Sequence, residues 1–301
     1  EMRPDRGQDL RMKYGFIPAD KNFDESVAYD MEYAIADGAM AQAAKFMNNE
    51  ADYNYFFDRS HSYRNYFDQK TLFIRGKNAD GKFIEPFNPY RSEHRADVYC
   101  EGNAWQYTWL APQDFDGLVK LYGSEAKLTE RLDSLFAAKS EIVGDNKSSD
   151  ISGLIGQYAH GNEPSHHIIY FYTMAHQPWK TADLASRIFK EFYFNDPNGL
   201  AGNEDVGQMS AWYILSSLGF YQAEPANPRF WFGKPAFKNA SVKVPGGTFN
   251  VTAEGLSEEN RYIQSITLNG EEYKLPYIEY VDIFRGGNLV FKMGPEQTVW
   301  Y

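Results

Sequence analysis

Apolar side chains recur at three- and four-residue intervals through residues 1–220, then at alternate positions in the β-branched runs that follow. Val27, Met31, Ala34, Ile35, Ala39, Ala43, Phe46 and Met47 keep helical spacing and predict a helix over 26–47, with Ser26 as its N-cap. An aromatic-rich segment at 51–67 predicts the next helix, and 104–110, 114–122, 125–138, 165–175, 180–192 and 205–218 predict the others. Asn78-Ala79-Asp80-Gly81-Lys82 carries strong turn chemistry, and the polar stretch 139–152 reads as loop.

Near Tyr221 the pattern changes. Glu224-Pro225-Ala226-Asn227-Pro228 has the composition of a linker. Alternating runs at 240–244, 248–252, 263–268, 277–281 and 289–293 predict strands, separated by Gly246-Gly247, Asn269-Gly270 and Gly286-Gly287. Asn269-Gly270 between two such runs predicts a hairpin. The expectation is a mainly α chain, with a helical region over 1–221 and a small antiparallel β region over 222–301.

Composition narrows the function. Of 301 residues, 30 are Lys or Arg and 41 Asp or Glu, for a net charge of −11. That balance argues against a phosphate backbone as partner. No apolar run is long enough to predict a transmembrane helix. Cys100 is the single cysteine, which excludes a disulfide within the chain. Aromatic residues make up 17%, suited to a well-packed core or to stacking on sugar rings. The opening Glu1–Leu10 lacks the apolar stretch of a secretion leader and does not read as a natural beginning, so the sequence is expected to be a fragment or processed product.

Three short elements look alike: Glu101-Gly102-Asn103-Ala104-Trp105, His160-Gly161-Asn162-Glu163-Pro164 and Gly202-Asn203-Glu204-Asp205. Each couples Gly-Asn to a carboxylate and precedes a helical pattern. One reading is structural: Asn caps a helix, Gly permits the turn before it, and acids favour the positive helix end. The other is chemical. In a barrel of helical hairpins, alternate helices begin at one rim. Glu101, Glu163, Glu204 and Asp205 would then converge at one mouth, with oxygen atoms from Asn103, Asn162 and Asn203. An oxygen-rich set suits a hard cation such as Ca2+, and paired carboxylates are the machinery of glycoside hydrolysis.

Other residues add less. His160, His166 and His167 lack the spacing of a zinc helix, so sugar hydrogen bonding or packing is expected of them. Trp109 is expected in the core, whereas Trp105, four residues after Glu101, is the candidate stacking platform. Cys100 has no partnered His and reads as a packing residue. No phosphate-binding loop or Gly-x-Ser-x-Gly elbow is present.

These motifs resemble glycoside hydrolase family 92, which comprises exo-acting, calcium-dependent, inverting α-mannosidases. The resemblance rests on Glu101-Gly102-Asn103-Ala104-Trp105-Gln106-Tyr107, on His160-Gly161-Asn162-Glu163-Pro164-Ser165-His166-His167, and on the run from Gly202 to Tyr213. It extends to Gln177-Pro178-Trp179-Lys180-Thr181, Tyr262-Ile263-Gln264-Ser265 and Leu268-Asn269-Gly270, nearly the whole chain. It implies an (α/α)6 barrel, here incomplete, whose N-terminal β-sandwich belongs to a missing part of the parent protein.

By the same resemblance Glu101 is the general acid and Asp205 the general base. Asn203 stands where some members have a second Asp, and can only position water. Asn162, Glu163 and Asp205 match the surroundings of a Ca2+ that holds vicinal mannose hydroxyls. His160, His166, Glu204 and Trp105 are the expected sugar contacts. Gly161 occupies a position where α-1,2 specialists carry Glu, so α-1,3 linkages stand beside α-1,2. The implied substrates are mannose-containing glycans, and the implied location of the parent is periplasm, cell surface or medium. Two other readings stay open: a carbohydrate-binding fragment without chemistry, and a metal-independent helical-barrel glycosidase.

Overall fold

A computed structural model describes residues 6–21 and 24–301. Glu1–Asp5, on which part of the leader expectation rests, lie outside the described residues. By its contacts the chain divides into two units, Glu1–Ser165 and His166–Tyr301. Among the described residues no helix is long and apolar enough to cross a membrane.

The first unit carries α1 (Gln8–Tyr14), α2 (Ser26–Phe46), α3 (Glu50–Arg59), α4 (Ala104–Tyr107), α5 (Phe115–Tyr122) and α6 (Glu125–Ala137). Two short hairpins, β1 (Phe67–Asp68) with β2 (Phe73–Ile74) and β3 (Leu154–Ile155) with β4 (Tyr158–Ala159), interrupt them. Ser26 is not the cap of α2. That position belongs to Glu25 in a left-handed conformation, and the buried Ser26 hydroxyl has no hydrogen-bond partner among the described residues. The predicted helix at 51–67 ends at Arg59 and gives way to a 3-10 turn at Ser62–Tyr66. Helices α5 and α6 follow their sequence signals closely. Asp114 caps Gly117 N–H at 3.0 Å, Gly123 closes α5 at φ 91°, and Ser124 caps Lys127 N–H at 3.2 Å.

One buried ion network holds the start of this unit. Arg11 is 3% exposed and bonds Asp30 and Asp37 of α2, each at 2.5 Å. Its remaining nitrogen donates to Arg59 O at 2.9 Å and Ser62 Oγ at 3.0 Å, so α1, α2, α3 and the turn meet on one side chain. Helix α1 had no clear signal in the sequence; its packing on α2 through Arg11 supplies what propensity does not.

The second unit contains α7 (Phe171–Met174), α8 (Pro178–Phe192) and α9 (Gln208–Ser217) before its strands. The predicted helix at 165–175 is mostly 3-10 turn, at Glu163–Ser165 and Ile168–Tyr170, with a single α turn after it. The strands are β5 (Phe220–Tyr221), β6 (Arg229–Phe232), β7 (Asn239–Val244), β8 (Gly247–Glu254), β9 (Tyr262–Leu268), β10 (Glu271–Glu272), β11 (Tyr277–Glu279) and β12 (Gly287–Gly294). The sheet orders are β10-β9-β12-β8-β7 and β11-β6-β5.

Two expectations need correction. The larger sheet is mixed: β12 pairs parallel with β8 and antiparallel with β9. The intervening β9–β11 segment and α10 (Tyr280–Arg285) provide the long crossover that a parallel pair requires. Tyr280 and Val281 also belong to α10, so the run predicted as strand to 281 ends at Glu279. A hairpin forms at Asn269-Gly270, with φ of 53° and 87°, but its returning strand is the short β10, while the run at 277–279 pairs with β6 instead. Alternate residues Phe249, Val251 and Ala253 of β8 and Leu289, Phe291 and Met293 of β12 join one core with Phe220, Phe232 and Ile278 of the smaller sheet. The chain is thus a mixture of helix and sheet rather than mainly α.

Removing Arg11 while leaving Asp30 and Asp37 buried should be severe. Arg11→Met is expected to cost about 3–5 kcal/mol of stability, read as a lower urea midpoint. An unchanged midpoint would show that the network is dispensable.

Candidate functional site

Glu101 lies on a bend between Tyr99 and α4, and its loop is fixed from three sides. Tyr107, one turn into α4, places its hydroxyl 3.4 Å from Glu101 N–H as acceptor. Its ring also fills the space over Gly102, where a Cβ would come within 2.9 Å of Tyr107 Cε2. That close approach explains the glycine after the acid. On another side, Asn162 Nδ2 donates to Glu101 O at 3.0 Å, joining two of the three Gly-Asn elements within the first unit.

Asn103 is fully buried and caps α4, its Oδ1 accepting from Trp105 N–H at 2.9 Å. Gln106 Oε1 returns to Asn103 N–H at 2.7 Å, closing a capping box. Both side chains then reach Gln157: Asn103 Nδ2 donates to Gln157 Oε1 at 3.0 Å, and Gln106 Nε2 to Gln157 O at 2.6 Å. The structural reading of the motif therefore holds for Asn103. Gln106, Tyr107 and Gln157 escaped the sequence reading as site residues. The first two lie inside the quoted motif, whereas Gln157 carries no local signal.

The element at 160–163 is pinned by its backbone, with His160 N–H and Gly161 N–H donating at 3.0 Å to Gly153 O and Ser152 O. His160 is fully buried, and its Nδ1 lies 2.9 Å from Tyr158 Oη. Glu163 is half-buried and opens the 3-10 turn. Trp105 is only 7% exposed. Phe73 meets it edge-on at 4.9 Å and the Arg131 guanidinium covers its ring at 4.5 Å, so it packs in the core of this unit. Cys100 is half-buried. Burial, with the Glu25 and Glu101 carboxylates adding, pushes its thiol up to about 12.

Asn203, Glu204, Asp205 and His166 belong to the second unit. Asn203 and Asp205 are exposed. Asn203 is not a cap. Instead Asp205, Val206 and Gly207 take three successive left-handed conformations, at φ 46°, 58° and 90°, and delay α9 to Gln208. A β-branched residue there is strained. The turn is held by Glu204, whose two oxygens accept from Ser210 N–H at 3.0 Å and Ser210 Oγ at 2.9 Å. The structure gives Glu204, expected among the sugar contacts, this capping role. His166 is 1% exposed and its Nδ1 faces Gln208 Nε2 at 3.1 Å, while its carbonyl accepts from Trp212 Nε1 at 3.0 Å.

Among the described residues no group of three or more His, Cys, Asp and Glu is gathered to hold a metal ion. Within the second Gly-Asn element stands the adjacent pair Asn162 and Glu163. Its donors are oxygen atoms, the chemistry that Ca2+ takes, with waters and carbonyls able to complete the shell.

The sequence matches the Glycosyl hydrolase family 92 catalytic domain over residues 2–295. A family GH92 α-mannosidase from Bacteroides thetaiotaomicron, solved in complex with mannoimidazole, superposes with a TM-score of 0.89 at 37% identity, over 96% of this chain and 38% of that one. A family GH92 inverting mannosidase from the same organism gives a TM-score of 0.83 at 30% identity, over 96% of this chain and 40% of that one. An uncharacterized secreted glycosidase of Arthroderma benhamiae is 26% identical over 320 residues, covering 95% of this chain and 39% of the relative. The chain therefore spans about two fifths of the length of these relatives.

The raised thiol makes a direct prediction. Iodoacetamide at pH 8 should alkylate Cys100 of the folded chain much more slowly than the unfolded chain, because the thiolate fraction falls with rising pKa. Equal rates would contradict the assigned environment.

Proposed function

The chain belongs to glycosyl hydrolase family 92, and on that premise we propose that it is the C-terminal catalytic part of a calcium-assisted, inverting exo-α-mannosidase. The observation that carries the reading is the acid loop: Glu101 stands half-buried on a segment fixed by Tyr107, Asn162 and the α4 capping box. A general acid needs such preorganisation, because proton transfer tolerates little misplacement. The family GH92 relatives described as an α-mannosidase bound to mannoimidazole and as an inverting mannosidase support the substrate and the stereochemistry.

In this proposal Glu101 protonates the leaving glycosidic oxygen and Asp205 removes a proton from the attacking water. Asn203 orients that water through its amide. Inversion requires the two carboxyl groups to stand about 6.5–9.5 Å apart, leaving room for the water between base and sugar. Asn162, Glu163 and Asp205 would hold Ca2+, which supplies electrostatic stabilisation of vicinal sugar hydroxyls and of the charge developing on the ring. His160 and His166 are proposed sugar contacts. The proposed parent architecture is an (α/α)6 barrel completed by residues outside this chain, preceded by a β-sandwich. Its substrates are terminal α-1,2- or α-1,3-linked mannose of glycans. A secreted relative supports export of the parent.

Mannose release from α-1,2-, α-1,3- and α-1,6-mannobiose, in calcium and in excess chelator, tests the reading. Release that stops with chelator is expected; release indifferent to chelator removes calcium from the mechanism. Glu101→Gln should lower turnover of mannobiose about 100-fold or more while sparing aryl mannosides, whose leaving groups need no proton. Equal losses on both would remove Glu101 as the acid. Glu163→Ala should raise the calcium concentration needed for half activity, and an unshifted titration would sink its role as ligand.

A further inference from the structure

Helix α6 carries a cation that no carboxylate answers. Arg131 is half-buried, and its Nε and Nη2 are closed to solvent without a hydrogen-bond partner among the described residues. No carboxylate of the described residues pairs with it. Its guanidinium is packed instead on aromatic rings: Cζ lies 4.1 Å from the ring centre of Phe73 and 4.5 Å from that of Trp105. The titratable groups beside it, Tyr122 and Tyr90, are phenols, and Tyr122 gives its hydrogen to Leu72 O at 3.2 Å. Burial lowers the pKa of Arg131, as it does for a cation taken out of water without a counter-charge.

The two unpartnered nitrogens form one edge of the guanidinium. Nε–H and the adjacent Nη2–H point the same way, as the fork that takes an anion through two parallel hydrogen bonds. A third donor lies beside them. The guanidinium covers the indole of Trp105, which is 7% exposed, and the indole Nε1 is also closed to solvent without an acceptor. All three groups can only donate. Buried donors rarely stay unused, and a charge held out of water without a counter-charge is costly. A water could accept from two of them but leaves the charge unbalanced. An anion serves the donors and balances the charge. Because none of the three nitrogens opens to solvent, the fitting acceptor is a single atom rather than a carboxylate or phosphate.

We infer that Arg131 Nε and Nη2, with Trp105 Nε1, bind a halide ion in the core of the first unit. The ion neutralises α6 where Arg131 packs on Phe73 of β2 and Trp105 of α4. It thereby ties α6 to the helix that follows Glu101. The site shares no residue with the proposed calcium ligands or sugar contacts and does not rest on the mannosidase reading.

Thermal unfolding of the chain in sodium chloride and in sodium gluconate at equal ionic strength tests it, together with the anomalous signal of crystals soaked in bromide. Relative to gluconate, chloride should raise the Tm of the wild-type chain by about 2 °C for each tenfold increase above its Kd. That excess should vanish in Arg131→Gln, which removes the fork, and shrink in Trp105→Phe, which removes one donor and keeps a ring. Bromide should give an anomalous peak within hydrogen-bond distance of Arg131 and Trp105. If Arg131→Gln does not fold, Trp105→Phe and the bromide peak still decide. A wild type with no chloride excess, an excess that survives Arg131→Gln, or bromide crystals with only a water between the two side chains overturns the inference.

Discussion

The acid loop depends on a buried amide network that contains no charge. Asn103 and Gln106 close a capping box around the first turn of α4, and Gln157 satisfies both from the β3–β4 hairpin. Gln157 then spends its own Nε2 on Lys139 O at 2.6 Å and Glu141 O at 2.9 Å. Buried amides are costly when unsatisfied, and these three fit one arrangement of the chain. Glu101 stands at the end of that arrangement, its carbonyl accepting from Asn162 and its N–H donating to Tyr107. A carboxylate that must reach one oxygen of a substrate benefits from a support whose energy does not vary with its own ionisation.

The three Gly-Asn elements were similar as text and differ as structures. In the first, Asn is a helix cap and its side chain is consumed by protein. In the second, Asn162 spans to the first element through its amide nitrogen. The third has no Asn cap at all, because three left-handed residues intervene and Glu204 supplies the capping oxygens. The repetition reflects a shared need, a sharp entry to a helix that leaves an acid near its start, met each time by different partners.

Much of the architecture was legible where the chain obeys local rules. Helices α5 and α6 carry their caps in the sequence, and Asn269-Gly270 announces its hairpin. What was hidden depended on distant partners. The parallel pairing of β8 with β12 joins residues 249–254 to 287–292, which alternation alone does not encode. Helix α1 owes its place to the Arg11 ion network. In the candidate site the Gly-Asn turns were readable, whereas Gln157, which holds Asn103 and Gln106 from another hairpin, was not. Trp105 looked like a platform because it follows an acid, but Phe73 and Arg131 enclose it.

The proposed mechanism carries one stereochemical consequence. Two carboxylates with a water between them invert the anomeric centre, whereas a direct nucleophile retains it. The decisive measurement is the anomer of mannose first released from α-mannobiose in calcium, followed by proton NMR before mutarotation. The proposed mechanism yields β-mannose first. Initial release of α-mannose would contradict it, removing Asp205 as the base and placing a covalent intermediate in the mechanism.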